Sequence, residues 1–381
     1  MLGSLWHGLK LRLTTQRRLP KKGDRVVMAM SGGVDSSVSA ALLKQQGFDV
    51  EGFYMKNWDT RDERGVCPSE QDWHDVQQVC QQLDIPCKQV DFVKDYWHQV
   101  FQDTLDDYAA GLTPNPDVLC NQHIKFGSLL NKIPDDAWLA TGHYCRTDGY
   151  GRLLRGREPA KDQSYYLSTV PWTALQRTIF PLGDIPSKRQ VKQMAHDMGL
   201  LQVATKRESY GICFVGQHRK FADFLGQYID QPAGQAMDLE SGKIIGEHKG
   251  LFGYTIGQAA HIHHGSHKWF VAHKDMESNT LLCVPGSTHP ALFHQACIAR
   301  HWTWIHTYRP SSPSINVMAQ VRYRQQPLKA RLTQDDDGRY RVTFEQPIRA
   351  MARGQQVVIW DRDWCLGSGI IDDIVPANLP I

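Results

Sequence analysis

The run Ser31–Ser37, which reads SGGVDSS, has the composition of a phosphate-binding loop. An apolar stretch at 26–30 precedes it and a helix-forming stretch at 38–46 follows it. Glycines let the backbone approach a ligand closely, and N–H groups at a helix start bind anionic phosphate. The run lacks the Gly-Lys-Ser/Thr ending of a Walker A loop and also departs from the Rossmann fingerprint. We therefore predict a phosphate site of another class, the alternative being a serine-rich helix start without a ligand.

The segment Thr113–Asn121, which reads TPNPDVLCN, contains a second candidate group, the thiol of Cys120. Its two prolines favour an extended path, and Asp117 could cap a helix that follows. Cys120 would then lie in the first helical turn, where the helix dipole favours a thiolate. Asp117 is close enough in sequence to transfer protons. When this segment is taken alone, a rigid turn with a buried cysteine is the better interpretation.

A third candidate is Cys213, in the apolar stretch Ser209–Gly216, which reads SYGICFVG. A buried core cysteine is the simplest interpretation of such a residue. Only a partner thiol would give it a chemical role.

Alternating strands and helices must position these groups. Apolar runs typical of buried strands occupy 26–30, 50–55, 86–92 and 138–141. Helical patterns occupy 38–46, a stretch from Ser69 as cap to 83, 96–108 and 188–198. The order predicts an α/β fold, a doubly wound parallel sheet with helices on both faces. A hairpin turn is predicted at Asp148-Gly149.

The pattern changes after about residue 220, where short strands replace helices. Candidate strands in the last part of the chain occupy 317–323, 329–332, 340–344, 356–360 and 369–374. Their regular spacing predicts a small antiparallel β-barrel. We accordingly divide the chain into a catalytic domain (24–217), a central linker domain (218–290) and a C-terminal barrel (291–381).

The overall composition narrows the class of protein. The 381 residues are 41% hydrophobic and 22% charged, as in an ordinary globular protein. The net charge of +3 permits nucleic-acid binding without arguing for it. No two of the nine cysteines form a C-x-x-C pair, which argues against a zinc ribbon or a thioredoxin motif, and their odd number suggests free thiols in a reducing compartment. No apolar run is long enough to span a membrane, so we expect no membrane partner.

Residues 1–23 differ in character from the rest of the chain. They contain lysine and arginine but no acidic residue, and Leu2, Leu5, Trp6, Leu9 and Leu13 would share one face of a helix. A basic, amphipathic, acid-free leader is typical of a mitochondrial transit segment. The alternatives are a disordered basic tail that touches RNA and, for a bacterial chain, a cytoplasmic location.

Taken together, the motifs make the chain resemble the tRNA-specific 2-thiouridylases of the PP-loop ATP pyrophosphatase superfamily, from about residue 24 to residue 374. Besides the three segments above, the motifs are Met55-Lys56-Asn57-Trp58, Ala140–Tyr144, Lys161–Ser164, Tyr254–Gln258, Arg322–Arg324 and Cys365–Gly367. The stretch 57–67, which ends Gly65-Val66-Cys67, looks closer to the mitochondrial members.

The resemblance implies ATP and Mg²⁺ as cofactors, wobble-uridine tRNAs for lysine, glutamate and glutamine as substrates, and an upstream persulfide donor, either a cysteine desulfurase or a relay protein. It implies Cys120 as catalytic thiol, Cys213 as persulfide carrier and Asp117 as acid/base. The residues implied to contact ATP are Ala29, Met30, Ser31, Gly32, Gly33, Val34, Asp35, Ser36, Met55 and Gly142. Those implied to contact tRNA are Asn115, Pro116, Asp117, His143, Lys161, Asp162, Gln163, Arg322, Tyr323 and Gln355. No protein-bound metal site is expected.

One segment departs from the family pattern. Gln258 is followed by AAHIHHGSH, where the family continues with arginine and a glycine-rich stretch. The missing arginine puts an RNA contact there in doubt. The histidines between His261 and His267 could bind a metal, but a solvated loop is the simpler interpretation because the run holds no acidic or cysteine ligand.

The implied reaction is adenylation of the uridine C2 oxygen followed by sulfur transfer from the Cys213 persulfide, with a Cys120–Cys213 disulfide left behind. Three alternatives remain. A PP-loop ATP pyrophosphatase acting on a small metabolite would not need the cysteine pair. An iron–sulfur tRNA thiolase would need clustered cysteines, which are absent from the sequence. A non-catalytic RNA-binding protein would not need an intact phosphate loop.

Overall fold

A computed structural model describes residues 18–59, 68–206, 221–306 and 309–377. Its strands form sheets of five, four and eight members. Within these ranges, no helix combines the length and apolar character needed to cross a bilayer.

The five-stranded sheet is parallel throughout, with strand order β3-β2-β1-β4-β7. Its strands are β1 (Arg25–Met30), β2 (Asp49–Lys56), β3 (Cys87–Asp91), β4 (Trp138–Thr141) and β7 (Thr178–Ile179). The strand order reverses between β1 and β4, so the loops that follow these two strands border a crevice at their carboxyl ends. The predicted α/β class with a parallel sheet is confirmed.

The helices are short apart from those that cover the parallel sheet. They are α1 (Val34–Gln45), α2 (Pro68–Leu83), α3 (Val93–Tyr96), α4 (Gln102–Ala109), α5 (Pro116–Leu119), α6 (Trp172–Leu175), α7 (Lys188–Asp197), α8 (Leu201–Ala204) and α9 (Phe221–Leu225). Two π-helical segments, Trp97–Phe101 and Cys120–Ser128, join α3 to α4 and prolong α5. The prediction that Ser69 caps α2 is wrong, because the helix already begins at Pro68.

The side chains of β1 show why this sheet is covered on both faces. Val26 and Met28 pack in a cluster with residues of α1, α2 and α7. Val27 and Ala29 face the other way, into a cluster that includes the π-helix at 120–128 and residues of the barrel. Alternate residues of a strand point to opposite faces, so a strand buried on both sides is apolar throughout.

The C-terminal strands form the predicted antiparallel barrel. They are β12 (Phe293–Trp304), β13 (Ser314–Gln320), β14 (Leu328–Gln334), β15 (Tyr340–Arg349), β16 (Gln356–Asp361) and β17 (Trp364–Pro376). Pairing of β12 with β17 closes these six strands. The strand predicted at 317–323 ends at Gln320, so Arg322 and Tyr323 lie in a turn. Arg324 has φ of 66°, a left-handed conformation that ends an extended run.

A hairpin from the first part of the chain joins the barrel. Its strands, β5 (Cys145–Thr147) and β6 (Leu153–Arg155), flank the predicted turn, where Asp148 accepts hydrogen bonds from two backbone N–H groups. Strand β6 pairs with β17 at Leu154 and Trp364. The barrel is therefore fastened to the chain segment that directly follows Gly142 and His143.

A four-stranded sheet lies between these two units in the chain. It comprises β8 (Gly234–Asp238), β9 (Ile244–His248), β10 (Trp269–Asp275) and β11 (Thr280–Pro285), in the order β10-β11-β8-β9. His261, His263, His264 and His267 are exposed in the loop before β10. In the part of the chain that the structure describes, no group of histidine, cysteine and acidic side chains could hold a metal ion.

Candidate active site

The loop between β1 and α1 is held in its conformation by hydrogen bonds of its own serine side chains. Ser36 Oγ lies 3.2 Å from the backbone nitrogen of Ser31 and 3.1 Å from Ser31 Oγ, and it also donates to the carbonyl of Gly33. Ser37 Oγ donates to the same carbonyl at 2.9 Å. Gly33 is the N-cap of α1, and no side-chain hydrogen bond caps the helix there. Within the described residues, the cap position of α1 supplies no side-chain acceptor to the first-turn N–H groups, which suits them to bind an anion.

Two glycines allow the loop to pack closely against its surroundings. Gly32 has φ of 69°, and a Cβ on it would lie 2.7 Å from the carbonyl oxygen of Asp72 on α2. A Cβ on Gly142, which follows β4, would lie 3.0 Å from the backbone nitrogen of Ser36. Any side chain at either position would push the loop away from its neighbours. The loops after β1 and β4 are therefore in direct contact, at the point where the strand order reverses.

Two lysines flank the loop, and sequence reasoning missed both. Lys188, at the start of α7, places Nζ 2.5 and 2.6 Å from the carboxylate oxygens of Asp35. Lys206 donates to the carbonyl of Gly32 at 3.1 Å and pairs with Asp72 and Asp75 at 2.7 and 2.5 Å. Burial acts to lower the pKa of Lys206, but its two carboxylate partners raise it overall, so it remains charged. Neither lysine belongs to a recognisable local motif.

The segment around Cys120 starts its helix differently from the prediction. Asn115, not Asp117, is the N-cap of α5, and its side chain accepts from the backbone N–H of Val118 at 3.4 Å. Pro116 fills the first helical position, where its fixed φ suits the helix and no N–H is needed. Cys120 consequently follows the last residue of α5 and begins the π-helix, so its placement in the first helical turn was wrong. Its side chain is buried.

Three ionisable side chains, those of Asp117, Lys125 and His143, lie on or beside the helix that bears Cys120. Burial raises the pKa of Asp117, and the charge of Lys125 offsets part of that rise. Burial, with Lys125 adding to it, holds the pKa of His143 well below its ordinary value, so the imidazole is neutral. His143 Nδ1 lies 2.8 Å from Thr141 Oγ1, and Nε2 lies 3.5 Å from Lys125 Nζ. Lys125 is a further functional candidate that the sequence did not reveal.

Comparison with known proteins supplies the family. Models described as the tRNA methyl transferase HUP domain, the tRNA methyl transferase PRC-barrel domain and the aminomethyltransferase beta-barrel domain match residues 24–217, 222–285 and 294–371. The tRNA-specific 2-thiouridylase MnmA of Francisella philomiragia is 43% identical over 362 residues, covering 92% of this chain and 99% of that protein. Its namesake from Francisella tularensis subsp. novicida is 44% identical over 359 residues, covering 91% and 99%. The chain belongs to the tRNA-specific 2-thiouridylase family.

One of the solved structures that align with this chain does so only distantly. The U34-tRNA thiolase NcsA of Methanococcus maripaludis, with its [4Fe-4S] cluster, aligns with a TM-score of 0.33 and 19% identity, covering 57% of this chain and 68% of that chain. A likeness of this size does not bear on function.

The structure brings most of the family-implied nucleotide residues of this thiouridylase together. Ala29 and Met30 end β1, residues 31–36 form the loop, and Gly142 packs against them. Met55 is half-buried near the carboxyl end of the neighbouring strand β2. Asn115, Pro116 and Asp117 precede Cys120 on its helix. Cys213 and the stretch 209–216 lie outside the described residues, so their approach to Cys120 stays a prediction.

Several residues that the family resemblance implies as tRNA contacts make hydrogen bonds to other residues of the protein. The carboxylate of Asp162 accepts from the backbone N–H groups of Gly156 and Ser164 and from the Ser164 hydroxyl. Gln163 accepts from the backbone N–H of Tyr144 at 3.0 Å, and Lys161 is half-buried beside them. These contacts shape the loop that follows the β5–β6 hairpin. Any RNA contact of Asp162 or Gln163 must therefore share or replace a protein contact.

The turn after β13 offers a more open surface. Arg322 is exposed, and the ring of Tyr323 packs against that of Tyr166 at a tilt of 34°, with ring centroids 4.3 Å apart. Burial lowers the pKa of Arg322, with the charge of Arg349 as a second cause, yet an arginine remains cationic. An exposed arginine next to an aromatic pair suits a phosphate contact beside a stacked base.

Gln355, in the barrel, fastens the segment that precedes Cys120. Its Nε2 donates to the carbonyls of Thr113 and Pro114 at 3.0 and 3.2 Å, and its Oε1 lies 3.4 Å from Asn115 Nδ2. Family resemblance implied an RNA contact here, whereas the structure shows contacts within the protein. The barrel therefore helps to position the helix that bears Cys120.

Gln355→Ala should slow single-turnover thiolation about tenfold. The change removes the four hydrogen bonds of this side chain, including one from the Tyr165 hydroxyl, and a loss of about 1.4 kcal/mol of their combined contribution to positioning Cys120 corresponds to a factor of ten. The tRNA dissociation constant should change less than the rate constant. The exposed Gln346 on β15 provides the control, and Gln346→Ala should leave both unchanged. Equal losses of affinity and rate in Gln355→Ala would instead indicate a direct RNA contact.

The raised pKa of Asp117 predicts how stability depends on pH. A folded-state pKa above the ordinary 3.8 means that ionisation destabilises the folded protein as the pH rises above that value. Asp117→Asn, which cannot ionise, should therefore gain stability relative to the native protein as the pH increases from about 4, by at most about 1.4 kcal/mol per pH unit. Urea unfolding across this range measures the difference. A stability difference that does not change with pH would contradict the raised pKa of Asp117.

Five other cysteines are poor candidates for sulfur chemistry. Burial raises the pKa of Cys80, Cys283 and Cys297 to about 12, and it also raises the pKa of Cys145 and Cys365. Since the thiolate is the nucleophile, these thiols are inert at neutral pH.

Proposed function

We propose that this protein is an ATP-dependent tRNA sulfurtransferase that replaces the C2 oxygen of a wobble uridine with sulfur. The observation that supports this most strongly is the pair Gly142-His143 after β4. Gly142 packs on the phosphate loop, and His143 lies beside Lys125 on the helix of Cys120. Consecutive residues thus contact both a nucleotide site and a cysteine site, as a reaction that couples ATP cleavage to sulfur transfer requires.

ATP is needed because the uridine C2 carbonyl has no leaving group. In our proposal the C2 oxygen attacks the α-phosphorus of ATP, the bond to the β-phosphate breaks, and pyrophosphate departs. Carbon C2 then bears an AMP group that sulfur can displace. The uncapped N–H groups at the start of α1 would stabilise the pyrophosphate as its charge develops.

Sulfur delivery in this proposal uses both cysteines of the motifs. The Cys120 thiolate attacks the inner sulfur of the Cys213 persulfide, so that a Cys120–Cys213 disulfide forms and the terminal sulfur leaves as hydrosulfide. The hydrosulfide attacks C2 and AMP departs with the original oxygen. A thiol reductant must then reduce the disulfide before the next turnover. Direct attack by the persulfide on C2, followed by resolution at Cys120, is the variant order.

Asp117 is the proton-transfer group in this scheme. Burial raises the pKa of Asp117 above that of an ordinary aspartate, which suits a group that exchanges protons with a substrate. The charge of Lys125 opposes this rise in the pKa of Asp117, and His143, which is neutral, is a neighbour of Lys125.

Mg²⁺ fits the loop only as a companion of ATP. A magnesium ion is often held by one or two carboxylates together with substrate phosphates, and Asp35 is the carboxylate in the loop. It would supply positive charge at the phosphates.

The partners follow from the same proposal. The substrates would be the wobble-uridine tRNAs for lysine, glutamate and glutamine, and a cysteine desulfurase or a relay protein would load Cys213. Arg322 and Tyr323 are our choice for backbone and base contacts, because they are the more open of the candidate groups.

The leader supports a mitochondrial location for this protein. Residues 1 to about 20 should direct import and be dispensable for chemistry, because the phosphate loop begins only at Ser31. A fluorescent protein fused behind residues 1–23 should accumulate in mitochondria, whereas a leader with its lysines and arginines replaced by glutamine should not. Cytosolic fluorescence from the native fusion would contradict the targeting hypothesis.

Purified full-length protein tests the proposed reaction directly. With ATP, unmodified tRNA and a persulfide donor, it should form AMP, pyrophosphate and 2-thiouridine in equal amounts. ATP cleavage that is independent of tRNA would favour the small-metabolite alternative, and tRNA binding without ATP cleavage would favour a non-catalytic RNA-binding protein.

A further inference from the structure

Lys188 occupies an unusual position for a lysine. Helix α7 begins at this residue, and its N-cap Ser187 accepts from the backbone N–H of Gln190 at 3.2 Å. The side chain of Lys188 is only 11% exposed, and it reaches both carboxylate oxygens of Asp35, whose side chain is 33% exposed. Burying an ammonium group is costly, so its retention beside a phosphate loop calls for a function.

The partner of Lys188 lies within the loop itself. Asp35 is in the first turn of α1, directly after the N–H groups that would bind phosphate. Tyr144 donates to Asp35 Oδ1 at 2.8 Å, and its ring lies 5.7 Å from Lys188 Nζ. The pair thus holds a preformed cation at the edge of the site. The carboxylate that holds it is also the one suited to Mg²⁺.

Lys206 does not share this property, although it also touches the loop. Its Nζ is bonded to two carboxylates, those of Asp72 and Asp75, and to the Gly32 carbonyl. Its charge is thereby neutralised within the protein, and it serves to hold the loop against α2. Lys188 has a single carboxylate partner among its described contacts.

We propose that Lys188 is a substrate-contacting cation that leaves Asp35 and binds the pyrophosphate portion of ATP. This inference rests on the proposed use of the loop for ATP. A phosphate chain bears more negative charge than one carboxylate, so it competes successfully for the ammonium group. The exchange also frees Asp35 for the divalent cation that accompanies ATP. Between turnovers, the ion pair with Asp35 holds the Lys188 side chain in position beside the loop.

Calorimetric titration of magnesium-free pyrophosphate, ATP and AMP into the full-length protein tests the proposal. The key comparison is between Asp35→Asn and the double variant Asp35→Asn/Lys188→Met, because both lack the ion pair and only one has the lysine. The double variant should bind pyrophosphate and ATP about tenfold to a hundredfold more weakly than Asp35→Asn. Its affinity for AMP, which lacks the pyrophosphate portion, should match that of Asp35→Asn.

The control is Lys192→Met, at an exposed position on the same helix, which should bind all three ligands like the native protein. The double variant has lost both charges together, so we expect it to remain folded, and thermal unfolding measures this. Equal pyrophosphate affinity in Asp35→Asn and the double variant would show that Lys188 serves only the ion pair and would overturn the proposal. A native protein that binds neither ATP nor pyrophosphate would overturn the proposed function itself, which is a different outcome.

Discussion

Serine in place of Cys120 should abolish thiolation, by about a thousandfold or more, while tRNA-dependent formation of AMP continues. A serine hydroxyl stays protonated at neutral pH and cannot open the Cys213 persulfide. The phosphate loop is untouched by the change, so adenylation should proceed. Mass spectrometry should still find a persulfide on Cys213 of this variant, and single-turnover thiolation measures the loss.

Serine in place of Cys213 should give the complementary result, with neither persulfide loading nor thiolation but with continued adenylation. Cys87→Ser is the matched control, since Cys87 is only partly buried and lies at the start of β3, outside the site. Because Cys120 is buried, its serine variant can cost about 1–3 kcal/mol of stability, so unfolding is measured in parallel. Full thiolation by either site variant would contradict the paired-cysteine mechanism.

Removing the carboxylate of Asp35 should abolish adenylation and leave tRNA affinity nearly intact. Asp35→Ala removes the carboxylate of the loop and leaves the Lys188 ammonium group without its ion-pair partner. Asp35→Asn, which keeps the size of the side chain, is therefore measured beside it as a milder change. Arg322→Ala should show the opposite pattern, with weaker tRNA binding and adenylation preserved at saturating tRNA. Its salt dependence should be shallower by about one unit of slope, as expected when one phosphate contact is lost.

Filter binding over a range of salt concentrations and pyrophosphate release together measure these effects. The exposed Arg339, in the turn before β15, supplies a control arginine in the barrel, and Arg339→Ala should leave both assays unchanged. Losses of tRNA binding of the same size in the Asp35 and Arg322 variants would contradict the separation of nucleotide and RNA sites.

The features that could be predicted from the sequence are those fixed locally. The phosphate loop lies between β1 and α1 because an apolar strand, two glycines and a helix former follow one another within a short stretch. The turn at Asp148 and the strands of the barrel were likewise predictable from turn residues and alternation. Their bounds moved by a few residues, as at Gln320, where a left-handed turn residue downstream ended the strand.

The features that were missed depend on residues far apart in the chain. Lys188 meets Asp35 across 153 positions, and Gln355 meets Thr113 across 242. No local pattern distinguishes such a lysine or glutamine from a solvated one. The cap of α5 was misassigned for a different reason: Asn115 and Asp117 are both good capping residues, and Pro116 decided between them by favouring the first helical position.

The central claim is that ATP activates the C2 oxygen itself. A tRNA whose wobble uridine contains ¹⁸O at C2 tests it in one turnover with unlabelled ATP and a persulfide donor. Our account predicts one ¹⁸O atom in the phosphate of AMP for each 2-thiouridine formed, and none in pyrophosphate. Label released to water, or thiolated tRNA formed with unlabelled AMP, would contradict it.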